Sequence, residues 1–127
     1  MTPEATQSDS APPPAGTYSM AIKAGGFVFL SGQMPRDANN VRHGDKPFAE
    51  QARMTLDNLE EAAKSAGLSL RNAVKVSVFL KNTSDAKLFD AIYATYVGDP
   101  APARTLTQSN LMGFDIEVDA VLLVPTN

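Results

Sequence analysis

One arginine and a pair of carboxylates are the residues whose types and spacing best suit chemistry in this chain. Arg104 stands between Pro102 and Leu106 in a short strand-like run, and its planar fork of donors matches a carboxylate in two parallel hydrogen bonds. Glu117 and Asp119 are two residues apart within Ile116 to Ala120, a spacing that puts both on one face of a strand. Burial and a like-charged neighbour raise a carboxyl pKa towards neutrality, where the group hands a proton to a leaving amine or activates a water. Taken alone, residue types favour plainer roles. A structural salt bridge from Arg104 to Glu117 or Asp119 leads an anion anchor by roughly two to one, and the two acids read first as a polar stripe at a sheet rim.

Other reactive types offer less. His43 is the single histidine, in a polar loop without metal-ligand spacing, and reads as a surface residue. The chain has no cysteine, which excludes thiolate nucleophiles, disulfides and zinc-thiolate sites. Neither a metal nor a cofactor is expected. Gly25-Gly26 does not join a strand to a helix, so a phosphate loop is not expected there. Tyr93 and Tyr96 sit at helical spacing and read as core. With 11 basic against 14 acidic residues and a net charge of -3, there is no clustered cation run of the kind that holds nucleic acid.

The elements that must position these residues are legible from periodicity. At 127 residues and 43% hydrophobic content the chain fits one domain. Residues 1–15, with Pro3, Pro12, Pro13 and Pro14 among small polar side chains, are expected to form a flexible tail, leaving 16–127 as the domain. Tyr18, Met20 and Ile22 alternate up to Gly25-Gly26, and Phe27 to Ser31 returns, which predicts a β-hairpin. Pro35 to Pro47 reads as a loop with a short strand near Val41. Phe48, Ala52, Leu56, Leu59, Ala63 and Ala66 recur at helical spacing, with Pro47 suited to the first turn and Gly67 to the C-terminal cap. Val74, Val76, Val78 and Leu80 predict one face of a strand. A second helix starts near Ser84 or Asp85, either able to cap it, presents Leu88, Phe89, Ile92, Tyr93 and Tyr96, and ends at Gly98.

Two strands close a β-β-α-β-α-β-β order, which predicts an α+β fold: a mixed sheet with two helices over one face. Because Val121 and Leu123 continue on the carboxylate side of the last strand, the other face is expected to be buried against another subunit. No apolar run approaches the ~18 residues of a membrane helix, and the N-terminus has no basic leader or apolar stretch. A soluble, cytoplasmic protein is expected.

Five tracts, Gly16 to Ala21 (GTYSMA), Phe29 to Gln33 (FLSGQ), Val74 to Lys81 (VKVSVFLK), Pro102 to Thr105 (PART) and Ile116 to Ala120 (IEVDA), together resemble the Rid family, also called YjgF or reactive intermediate deaminases. The resemblance runs from about Gly16 to Val124. It implies the chorismate-mutase-like two-layer fold, assembled as a homotrimer with ligand clefts between subunits. It also implies cofactor-free hydrolysis of small enamines and imines, such as 2-aminoacrylate, to 2-keto acids and ammonia, the activity of a 2-iminobutanoate/2-iminopropanoate deaminase. By the same resemblance Arg104 grips the substrate carboxylate, Tyr18 and Ser31 line the cleft, Leu106 forms its wall, Glu117 is the first acid of the E-x-E pair, and Asp119 positions water and donates the proton. The chain departs from the family pattern at Asp119, where glutamate is frequent, at Leu106, where cysteine is common, and at Asp90, where asparagine is frequent. Thr17 and Met20 replace the usual proline and glutamine. A non-catalytic trimer that binds a small carboxylate or a protein partner is the alternative, and a ribonuclease role fits the acidic charge poorly.

Overall fold

Two glycines with left-handed backbone start the sheet. Gly25 (φ 59°) and Gly26 (φ 84°) join β2 (Ala21–Ala24) to β3 (Phe27–Gln33), the pair of positive φ values that a tight two-residue hairpin turn requires. The computed structural model describes residues 2–126. Its other elements are β1 (Glu4–Thr6), α1 (Phe48–Ser65), β4 (Ala73–Leu80), α2 (Ala86–Tyr93), β5 (Ala103–Gln108) and β6 (Ile116–Leu123). Six strands form one mixed sheet in the order β1-β2-β3-β6-β4-β5. All neighbours are antiparallel except β4 and β5, the pair that α2 connects.

The segment expected to be a tail contributes β1. Glu4, Ala5 and Thr6 pair with Lys23, Ile22 and Ala21, and Thr6 Oγ1 lies 2.8 Å from Ser65 Oγ at the end of α1. Ala11 is buried. A hairpin edge with free backbone groups offers hydrogen bonds to any extended segment nearby, and that offsets the ordering cost inferred from composition.

Helix α1 buries Ala52, Leu56, Leu59, Ala62 and Ala63 against the sheet. Pro47 precedes it at the N-cap position, and its end is tied off by Gly67 (φ 78°). Gly67 N donates to Lys64 O and Leu68 N to Ala63 O, the paired bonds of a left-handed helix cap. In α2, neither Ser84 nor Asp85 caps through its side chain. The helix stops at Tyr93 rather than Gly98, in a turn where Thr95 Oγ1 donates to Ile92 O. Leu88 is exposed, whereas Phe89, Ile92 and Tyr93 are buried.

The core lies between the helices and one sheet face, with Val28, Leu56, Leu59, Val76, Val78, Leu80, Phe89, Ile116 and Leu122 fully enclosed. Alternation holds from Val76 to Leu80, but a register shift between Ala73 and Lys75 turns Val74 outward. The opposite face is bare. Phe27, Phe29 and Leu123 are 38%, 46% and 46% exposed, and Phe27 and Leu123 pair across β3 and β6, as do Phe29 and Val121.

Candidate functional site

A bulge in β3 builds the first part of the site. Leu30 pairs with Ala120 and Gln33 with Val118, so three steps on β3 oppose two on β6, and Ser31 and Gly32 share the place opposite Asp119. Ser31 is fixed there: its N–H donates to Met20 O at 3.0 Å and its Oγ to Ser19 O at 2.5 Å. At Gly32 the missing side chain matters. A Cβ would lie 2.6 Å from Glu117 Oε2, so glycine lets the Glu117 carboxylate rest against the strand. Tyr18, Ser31, Gly32, Met34 and Glu117 surround a concavity of about 260 Å³.

Glu117 and Asp119 share the bare face, as their spacing predicts, since they alternate with buried Ile116, Val118 and Ala120. Burial pushes the Glu117 carboxyl above the usual range, the Asp119 charge adds to the rise, and Arg36 partly opposes it. Asp119 is also raised by burial, against the pull of Ser77 and Lys75. The two acids differ in what they face. Glu117 lines the concavity with Tyr18 and Ser31, whereas Asp119 stands opposite Ser77 on β4.

Arg104 lies elsewhere. It and Leu106 pair with Val76 and Val78, buried residues of the helix side, so both point towards the helices from the outermost strand. Leu106 packs half-buried on the core. The Arg104 guanidinium carbon is 4.9 Å from the Tyr93 ring centre and 5.8 Å from that of Phe89, and Nη1 donates to Asp90 Oδ1 at 2.7 Å. The expected salt bridge to Glu117 or Asp119 is therefore replaced by one to Asp90. A sheet separates Arg104 from both acids within one chain, whereas α2 runs directly over β5. Tyr93, read from sequence as core, is buried and supports the arginine as well; its Oη has no hydrogen-bond partner among the described residues.

His43 is not merely a surface residue, because its Nε2 lies 3.0 Å from Asp37 Oδ2. That contact holds Asp37 below its ordinary range, and an isolated Arg36–Arg42 bridge stands where a short strand near Val41 was expected. Arg36 itself is buried, its side chain donating to Asn40; nothing in a polar loop sequence signals that. Among the described residues no group of three His, Cys, Asp or Glu side chains could hold a metal. No described helix is long and apolar enough to cross a membrane.

The layered sheet and helices define a chorismate-mutase-like α+β protein. The family model described as Endoribonuclease L-PSP matches residues 8–124, and the chain belongs to that family, which includes the Rid, YjgF and RutC proteins. A RutC family protein of Pyrococcus horikoshii is 36% identical over 115 residues, covering 89% of this chain and 91% of its own. The mitochondrial protein mmf2 of Schizosaccharomyces pombe is 35% identical, with 84% and 86% covered. The crystal structure of RidA from an Antarctic Psychrobacter superposes with a TM-score of 0.87 at 31% identity, covering 95% of this chain and 99% of that one.

Proposed function

We propose that this chain hydrolyses small 2-imino acids and their enamine tautomers to 2-keto acids and ammonia, at sites completed by neighbouring copies in a homotrimer. One observation carries the reading: the chain presents two half-sites that do not meet. Arg104 with Tyr93 stands at the β5 edge, on the helix side, and the Tyr18, Ser31 and Glu117 concavity lies beside the bare apolar face. Packing that face against a second copy would bring the anion anchor of one chain to the acid of another.

The chemistry needs neither metal nor cofactor. Arg104 holds the substrate carboxylate, which fixes the adjacent C=N carbon. Ionised Glu117 takes a proton from a water as the water oxygen attacks the carbon of the protonated imine, whose C=N π pair moves to nitrogen, forming a neutral carbinolamine. The Glu117 carboxyl returns that proton to nitrogen, and as the C–N bond breaks and ammonia leaves, the hydroxyl gives its proton to the Glu117 carboxylate and the carbonyl forms. An enamine must first gain a proton at its methylene carbon to become the protonated imine. Glu117 is assigned this role instead of Asp119, the residue the family resemblance pointed to, because Glu117 faces the concavity. Asp119 acts on it through charge.

Ammonia release from freshly generated 2-iminopropanoate tests the reading. Arg104→Ala should lower kcat/KM by roughly 10- to 100-fold, the worth of one charge-assisted hydrogen bond. Glu117→Gln should abolish turnover, while Asp119→Asn should stay within about tenfold of wild type. No rate above buffer, with Arg104-dependent calorimetric binding of 2-keto acids, would favour the non-catalytic binder instead. RNA cleavage that survives Arg104→Ala would favour a ribonuclease.

A further inference from the structure

Arg104 is not a bare cation. The bond from Nη1 to Asp90 is the only hydrogen bond its guanidinium makes among the described residues, so Nε and Nη2 have no protein partner there, and the side chain is 28% exposed. The Asp90 side chain is 61% exposed, and Oδ2 makes no bond to the protein among the described residues. A ligand laid on the free guanidinium edge therefore meets a carboxylate within a few ångströms. We propose that Asp90 sets the charge class this site accepts: a carboxylate carrying a protonated nitrogen beside it, in preference to a plain carboxylate anion. The inference rests on Arg104 being the carboxylate anchor.

The argument is one of like and unlike charge at short range. A plain anion on Arg104 gains the guanidinium but is repelled by Asp90, and the ion pair already neutralises the arginine at longer distance. A nitrogen on the α-carbon lies next to the carboxylate, so once protonated it reaches the unused Asp90 oxygen while the carboxylate stays on the arginine. An iminium acid has that nitrogen. The 2-keto acid left after ammonia departs does not, so the residue that favours substrate also loosens product.

Asp90→Asn separates charge from geometry, because the amide oxygen still accepts from Arg104 Nη1. The assembled wild type and variant would be titrated calorimetrically at low ionic strength with pyruvate, a plain anion, and alanine, a stable compound with nitrogen beside the carboxylate. Wild type should prefer alanine. The variant should bind pyruvate more tightly and alanine more weakly, shifting their affinity ratio by about tenfold or more, with added salt shrinking the pyruvate gain. A ratio unchanged within about twofold, or no binding of either ligand to either protein, overturns the proposal. Arg104→Ala keeps the two failures apart: an unchanged ratio with Arg104-dependent binding removes only the role of Asp90, while binding indifferent to Arg104 removes the anchor itself.

Discussion

Glu117 is held where ionisation is unfavourable, and that has a measurable consequence. Its carboxyl is raised chiefly by burial and next by the Asp119 charge, so the folded state binds its proton more tightly than the unfolded chain does. The resulting contribution to stability is present below the ordinary carboxylate pKa and is lost as pH rises through the raised value. At neutral pH the group therefore costs stability. Glu117→Gln, neutral at every pH, should melt at a higher temperature than wild type at pH 7, and the gap should close as both are taken to about pH 4. A variant that melts lower at pH 7 would mean that the carboxylate is stabilised by its surroundings. The spacing of Glu117 and Asp119 was enough to place them on one face. Which of them faces the concavity was not, because that depends on where the β3 bulge sets Gly32.

Among the elements, α1 does more than cover the sheet. Buried Gln51 donates from Nε2 to Gly44 O, Lys46 O and Asp115 Oδ2, and its Oε1 accepts from Asp115 N. Asn58 Nδ2 donates to Met34 O and Arg36 O. The helix thus clamps the loop before it, the start of β6 and the exit of β3, the last two being where Glu117 and Met34 arise. Gln51→Leu keeps the helix pattern but strands these buried groups, which should cost about 3 kcal/mol. Denaturant unfolding would register the loss, and a change below about 0.5 kcal/mol would mean that water replaces the amide. The apolar period of α1 was plain in the sequence. Its polar residues were not identifiable as buried, because their partners lie in loops and strands far along the chain, so that the amphipathic pattern alone would have left them in solvent.

At the scale of the whole molecule, the bare face is the feature that calls for a partner. Phe27, Phe29, Val121 and Leu123 form an apolar strip beside the concavity, and a second copy of the chain would satisfy it and complete the site. Phe29→Glu should leave far-UV circular dichroism unchanged, since the side chain does not enter the core, yet, if the proposed trimer uses this face, shift the sedimenting species from trimer to monomer. Turnover should fall with assembly although no site residue has changed. A Phe29→Glu protein that still sediments as a trimer would place the interface elsewhere.

By itself the sequence determined the order of helices and strands from β2 onward, the Gly25-Gly26 hairpin, the Gly67 cap, the family and the shared face of Glu117 and Asp119. These follow from local backbone preferences and from side-chain periods of 2 and 3.6, which a single chain carries in its own order. Tertiary structure decided what depends on registration between distant segments. It paired residues 4–6 with β2, turned Val74 outward, set Arg104 across the sheet from both acids and gave it Asp90 as partner. Arg104 and Asp90 are brought together because β5 pairs with β4 in parallel and α2 makes the crossing between them, a geometry fixed by packing and visible in neither stretch alone.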